Sequence, residues 1–415
     1  MTDFNTQPKE RIYIYSNQPI VRYKGHCYSK LKNFVDFVIT LSRYRDSYSL
    51  VLPCEDVTDI AAIDGLTEVP KPEKFIKAHA YEGHGNAIKV SLKNALLVNR
   101  IIREDIAAGV KVVVAGPGPN SFLFWLSILL PCQVRYAFFI RGDTLKTVQN
   151  IYSGTPLYYF ASGLVRLFRS RINCLLKKKR AVLFAYGDHL LQQYCTDSNQ
   201  GHVVMPLLDD DFVIDDSTAP VNGRKAFRVL FVGRLSPEKN VLALIEACHE
   251  AVQAGRPFQL SIVGYGPLEE AVQEAISKHL NLDRYVEFVG YVAHGAMLKK
   301  IIDDHDVLCL PSFTEGIPRS VIEAFARKKP VVATPVGALP TLFSDSIVFI
   351  NGFDSAGIFK AIDWAMENKA DLKRMAGKGH ASSRCFSISY NAEQVDRVLF
   401  EYSCDSGVFA DERRA

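Results

Sequence analysis

The chain has 415 residues, 48% of them hydrophobic and 23% charged, more than one hydrophobic core usually serves, so two domains of about 150 to 220 residues are expected. That composition excludes disordered, collagenous and coiled-coil classes, and a net charge of +4 gives no support to nucleic acid as a partner. Nine cysteines, all single and without a C-x-x-C pair, read as buried thiols in a reducing compartment, neither a disulfide frame nor a zinc site.

The opening "MTDFNTQPKE" is polar and lacks the apolar core of a signal peptide, which predicts a cytoplasmic protein. "RIYIYS" reads as a strand, 28–43 as a helix, "YSLVLP" as a strand, 92–108 as a helix and "VKVVVAG" as a strand. "NSFLFWLSILL", "QVRYAFFI", a helix over 157–179 and "AVLFAY" follow, giving a first α/β domain over 1–205. The longest apolar run, "FLFWLSILLP", is about half of what a membrane-spanning helix needs.

Residues 155–182 hold Arg166, Arg169, Arg171, Lys177, Lys178, Lys179 and Arg180 among leucines and aromatics, with no acidic residue. Two readings stay open: a domain helix with a basic outer face, or a helix that lies on an anionic membrane at the inner face. The acidic, turn-rich stretch 206–225 is expected to be a linker.

From Ala226 short β-branched runs alternate with helical segments: "FRVLFVG", "NVLALIEACHEAV", "FQLSIVG", "PLEEAVQEAISKHL", "YVEFVG", "GAMLKKIIDDH", "DVLCLP", "PRSVIEAFARK", "PVVAT" and "SIVFI". That alternation predicts a Rossmann-like parallel sheet over 226–385. The tail 386–415 has apolar residues at helical spacing after this domain is complete, so a helix is expected to cross back onto the first domain.

Ligands of open parallel sheets bind at the carboxyl ends of strands, where three turns carry chemistry. In "LFVGRLSPEKN", Arg234 and Lys239 either neutralise a diphosphate or are solvated loop charges. In "IVGYGPLEEA", Gly264 and Gly266 either admit a ligand to the backbone or make a tight turn; "VVVAGPGPNS" lacks the third glycine of a dinucleotide fingerprint. In "FTEGIPRSVIEAF", Pro318 suits a first helical turn, so Glu315, Gly316 and Ile317 sit at a positive helix end that welcomes an anionic oxygen. Glu323 then reaches a second part of the ligand, or pairs with Arg319 and Arg327 in a solvent-facing i, i+4 stripe.

"GRLSPEKN", "IVGYGPLEEAV", "VEFVGYV", "LPSFTEGIPRSVIEAFARKKPVVATPVG" and the tail beginning "FS" resemble the retaining glycosyltransferases of family 4, glycosyl transferases group 1, over about 226–403. The resemblance implies the GT-B fold, two Rossmann-like domains facing each other across a cleft. Its implied activity is transfer of a hexosyl unit from a nucleotide-diphosphate sugar to a saccharide or lipid-linked hydroxyl, in polysaccharide or glycolipid synthesis. Carried over by position, Arg234 and Lys239 would bind the diphosphate, Glu315 the sugar hydroxyls, Gly316 and Ile317 the sugar or phosphate, and Glu323 the ribose. Gly290 and Tyr291 would border the base, with Gly264 and Gly266 letting their loop pack near the cleft.

No metal and no cofactor is implied, since fixed cations stabilise the leaving group and front-face attack needs no protein nucleophile. A nucleotide-sugar 2-epimerase and a non-catalytic sugar-nucleotide-binding module of the same fold are the alternatives. The sequence departs from the family at Asn240 and in "RKKP", where glycine is common, and at Ala338, where a second glycine is frequent. In the first domain Gly25 is expected to line the cleft, with Arg141 or Asp143 where the family carries a histidine; solvated charges at a turn are the alternative.

Overall fold

The computed structural model describes residues 12–15, 19–30, 48–64, 66–80, 87–105, 111–114, 135–140, 145, 148–149, 152–179, 181–185, 187–195, 201–205, 207–214 and 226–400. The chain divides into two compact units, Met1–Pro206 with Ile388–Ala415, and Leu207–Ser387.

The first unit runs β1 (Ile12–Tyr15), β2 (Ile20–Tyr23), β3 (His26–Ser29), β4 (Tyr48–Asp56), β5 (Thr67–Val69), β6 (Lys74–Ala78), α1 (Ala87–Asp105), β7 (Lys111–Val114), β8 (Arg135–Ile140), α2 (Pro156–Lys177), β9 (Ala181–Ala185), α3 (Asp188–Tyr194) and β10 (Gly201–Val203). Strands order as β10-β9-β8-β7-β1-β4-β2-β3-β5, with β6 also on β4. Pairing from β10 to β4 is parallel throughout; the hairpin β2-β3 and β5 add an antiparallel edge.

Successive residues of a strand point to opposite faces, and each face here has its own core. Tyr13, Tyr15, Phe138, Ile140 and Leu183 pack with Ala95 and Val98 of α1 and Ile172 and Leu175 of α2. Ile14, Phe139, Val182 and Phe184 face the other way, onto Ala392, Val395 and Val398.

The second unit is β11 (Arg228–Val232), α4 (Val241–Gln253), β12 (Gln259–Val263), α5 (Glu269–Lys278), β13 (Val286–Gly290), α6 (Ala296–Asp303), β14 (Val307–Leu310), α7 (Arg319–Ala326), β15 (Val331–Ala333), α8 (Leu339–Leu342), β16 (Ile347–Phe349), α9 (Ser355–Glu367) and α10 (Lys369–Ser383). Its six strands order as β13-β12-β11-β14-β15-β16, all parallel, which is doubly wound Rossmann topology. β11 and β14 are adjacent at the centre, so the loops after them carry the reversal of strand order.

The last helix, α11 (Ile388–Phe400), belongs to the first unit and supplies the Ala392, Val395 and Val398 named above. Among the described residues, no helix is long and apolar enough to cross a membrane.

Two sequence expectations change. Residues 28–29, assigned to a helix over 28–43, close β3, because Lys24 and Gly25 both take positive φ (47° and 86°) and turn the chain into an antiparallel hairpin. Residues 207–214, assigned to the linker, pack in the second unit. Phe212 is fully buried there and Ile214 N donates to Ala326 O (3.2 Å).

Candidate functional site

The strand β11 ends at Val232, and the next eight residues form a loop and a single 3-10 turn, Pro237–Lys239, before α4. The turn aims Lys239 at the loop after β14. Its Nζ lies 2.6 Å from Glu315 Oε1, with the lysine side chain 19% and the glutamate side chain 7% exposed. Ser312 Oγ donates to the same carboxylate oxygen (2.7 Å), and Thr334 Oγ1 anchors that loop by donating to Ser312 O (2.5 Å). Phe313 N donates to Glu238 O (2.8 Å), so backbone as well as side chains join the two loops.

Arg234 behaves differently. It is exposed, and its side chain makes no hydrogen bond or ion pair among the described residues. Its field, with that of Lys239, adds to the 2.6 Å hydrogen bond from Ser236 Oγ in holding the Glu238 carboxyl below the usual range. The hydroxyl bond is the larger cause.

Gly264 and Gly266 are explained by steric need. A Cβ on Gly264 would stand 1.8 Å from Gly233 O, and one on Gly266 2.4 Å from Leu235 O. The bonds Leu235 N to Tyr265 O (2.9 Å) and Leu268 N to Leu235 O (3.0 Å) bind the two loops together. These glycines therefore position the Arg234 loop through backbone contact.

Gly337 plays the matching part on the other side, since a Cβ there would meet Glu315 O at 2.3 Å, and Ala338 N donates to Gly316 O (3.1 Å). By contrast a Cβ on Gly290 or Gly316 would meet nothing within 4 Å. Gly290 O accepts from Gly264 N (2.8 Å), and Tyr291, exposed, stands edge-on to exposed Tyr265 with ring centroids 5.3 Å apart. Ile317 is half-buried and Gly316 exposed, just before Pro318, which lies outside α7 as its N-cap.

Glu323 is only 3% exposed, which overturns the solvent-facing stripe. Arg319 Nε does donate to it (2.8 Å), but Arg327 turns away to Asp303, donating Nε to Oδ1 at 2.8 Å. In place of Arg327, His294 Nε2 lies 3.0 Å from Glu323 Oε1 and 2.8 Å from an Arg319 Nη2, donating to the first in one tautomer and accepting from the second in the other. Its Nδ1 lies 3.3 Å from Asp209 Oδ2, and its ring stacks on Phe212 at 4.5 Å. A buried carboxylate needs such partners, and here they come from the loop before α6 and from α7 itself, with Asp209 and Phe212 holding the histidine from behind.

The departures from the family acquire a physical account. Asn240 takes the left-handed conformation (φ 56°) that favours glycine, and its Nδ2 donates to Pro311 O (3.2 Å) and Phe353 O (2.8 Å). Lys328, in "RKKP", is also left-handed (φ 53°), just past the end of α7.

Gly25 sits exposed in the β2-β3 turn, which accounts for a glycine without a ligand, while Arg141 and Asp143 lie outside the described residues. Sequence reasoning missed His294, Asp209, Ser312 and Tyr265; of these Tyr265, between Gly264 and Gly266, and Ser312, in "LPSFTEG", lay in motifs that could have pointed to them.

Residues 226–368 match the family model described as glycosyl transferases group 1. A curated relative, the amylovoran biosynthesis glycosyltransferase AmsK of Erwinia amylovora, is 35% identical over 126 residues, 29% of this chain and 30% of that protein, so the chain matches less than a third of its length. Among solved structures, a glycosyltransferase from Rickettsia africae superposes with TM-score 0.60 at 15% identity, covering 96% of this chain and 100% of that one. Anabaena HepE, crystallised with UDP, gives TM-score 0.60 at 15% identity over 94% of this chain and 100% of its own. The fold is α/β with two Rossmann-like domains, the fold of the GT-B glycosyltransferases.

Proposed function

We propose that the protein is a retaining glycosyltransferase that moves a hexosyl unit from a nucleotide-diphosphate sugar to a hydroxyl of a saccharide or lipid-linked acceptor, in the synthesis of cell-surface polysaccharide or glycolipid. The observation that carries this reading is the Lys239–Glu315 pair beside Arg234, on the segment that matches the family model. A departing diphosphate develops negative charge, and a guanidinium with no side-chain partner among the described residues, together with an ammonium held at a fixed place, meets that charge without reorganisation.

In this reading Arg234 and Lys239 hold the diphosphate, and Glu315, fixed by Ser312, accepts hydrogen bonds from sugar hydroxyls. The open space beside Gly316 admits the sugar, Ile317 borders it, and Glu323 takes the ribose hydroxyls. Gly290 and Tyr291 flank the base. Attack of the acceptor hydroxyl on the face of the leaving phosphate retains configuration and uses neither a protein nucleophile nor a metal.

The same proposal places the protein at the inner face of a membrane through α2. Tyr159, Phe160 and Leu167 are 78%, 58% and 53% exposed, on the helix whose Arg166 and carboxyl-terminal Lys177, Lys178 and Lys179 are also exposed. Arg169 is not part of that face, since it donates to Gln193 (2.6 Å) and covers the Tyr194 ring at 4.7 Å. Aromatic residues and cations together suit an anionic lipid surface.

The test is release of nucleoside diphosphate from a panel of nucleotide sugars, with and without acceptors, in EDTA. Release in EDTA, with an α-linked product from an α-linked donor, is the expected result. A changed sugar on an intact diphosphate means an epimerase, and no binding of any nucleotide sugar overturns the proposal.

A further inference from the structure

On the second unit, outside the residues assigned to the donor, Glu246, His249 and His279 converge. Glu246 and His249 are three residues apart on α4 and so share one face of the helix, while His279 caps the carboxyl end of α5. One nitrogen or oxygen from each lies within 4.8 Å of the other two. His279 Nε2 is 3.0 Å from Glu246 Oε2, and the two imidazole rings stack with centroids 3.7 Å apart and planes 18° apart. All three residues are half-buried.

We propose that Glu246, His249 and His279 form a binding site for a divalent transition metal ion of the zinc class, tying α4 to α5. Two imidazoles and one carboxylate are a donor set for zinc, and the partial exposure leaves room for water as a fourth ligand. Calcium or magnesium would call for a shell of oxygens that these side chains do not supply.

The neighbouring Cys248 is not a ligand. It is buried, its Sγ turns to Phe258 O (3.7 Å), and burial pushes its thiol up to about 12.

Tetrahedral donors about 2.0–2.2 Å from zinc lie about 3.3–3.6 Å from one another, closer than the limit of 4.8 Å observed here. Stacked rings direct their in-plane lone pairs side by side, so ligation of one ion requires the His249 ring to tilt out of the stack. The ion would replace the direct contact between His279 Nε2 and Glu246 Oε2. This site stands independently of the glycosyltransferase proposal, since none of its residues is assigned to donor or acceptor.

The test uses full-length protein stripped with EDTA, titrated with ZnCl2 by calorimetry and with CoCl2 by visible absorption. One zinc per chain, a tetrahedral cobalt band and a raised melting temperature are expected. Glu246→Gln and His279→Ala should weaken zinc binding at least about tenfold and remove the band. If His279→Ala fails to fold, His249→Gln, which alters a half-exposed side chain, should fold and lose the band. Absence of binding in tenfold excess of zinc, or affinity unchanged in the folded variants, overturns the site.

Discussion

Lys239 and Glu315, 76 residues apart in the chain, meet at 2.6 Å, and the glutamate side chain is nearly enclosed. Removing the lysine leaves the carboxylate with Ser312 as its remaining side-chain partner, so Lys239→Ala should lower stability by about 1–3 kcal/mol. Under the proposed function it should also reduce turnover by at least about 100-fold. Glu315→Ala should match the loss of turnover. Thermal melts and initial rates check both, and unchanged turnover in either variant removes that residue from the donor site.

Gly264→Ala sets a Cβ against Gly233 O, a carbonyl that cannot yield without moving the Arg234 loop. The variant should lose about 2 kcal/mol or more. Nucleotide affinity should fall further than for a surface Gly377→Ala control, whose Cβ meets nothing within 4 Å. Equal affinity in the two would show that the loop tolerates displacement.

Lys328 and Asn240 make an opposed pair of tests, since both occupy left-handed backbone. Lys328→Gly should stabilise by about 0.5–1 kcal/mol, by relieving a conformation that disfavours a side chain. Asn240→Gly relieves the same strain but forfeits bonds to Pro311 and Phe353, and should destabilise by about 1 kcal/mol. Denaturant midpoints distinguish the two; the same sign in both would refute the account given for Asn240.

His305 gives a pH dependence. It is buried, its Nδ1 lies 2.6 Å from Ile301 O as donor, and Nε2 has no hydrogen-bond partner among the described residues. Burial, the largest cause, holds its pKa below the ordinary 6.5, with Arg228 acting in the same direction against Asp304 and Asp306. The unfolded state thus binds the proton more readily, so stability is complete above the unfolded value and declines as pH falls below 6.5 toward the folded one. Melting temperature across that window should fall less steeply in His305→Gln, and parallel slopes would exclude the histidine as a source.

The sheet of the second unit was readable because each strand is a short apolar run bounded by glycine, proline or charge, and each helix keeps a 3.6 period. Arg234, Lys239, Glu315 and Glu323 stood out as candidates in the turns after strands, and the resemblance to a known family supplied their roles. The surroundings of Glu323 did not, because Asp209 lies in a stretch whose acidic composition imitates a solvated linker. His294 sits in a loop with no periodicity at all. The β2-β3 hairpin was hidden for a related reason: its turn is Lys24-Gly25, a weaker signal than Asn-Gly, and β3 is only four residues long.

His294 bridges two carboxylates, one on α7 and one on the chain entering the second unit. If Glu323 holds ribose hydroxyls, His294→Ala should raise KM for the nucleotide sugar more than it lowers kcat, and His294→Gln should restore part of the difference. A fall in kcat with KM unchanged would place the histidine elsewhere in the reaction.

The helix α11 has a consequence for biosynthesis. Ala392, Val395 and Val398 complete the face of the first sheet that includes Ile14, so a strand synthesised before the second unit waits for a helix synthesised after it. The second unit, Leu207–Ser387, is continuous and gathers its whole core while that wait lasts. During translation the first sheet is therefore begun before the second unit and completed after it, with the apolar surface around Ile14, Phe139 and Phe184 uncovered in the interval.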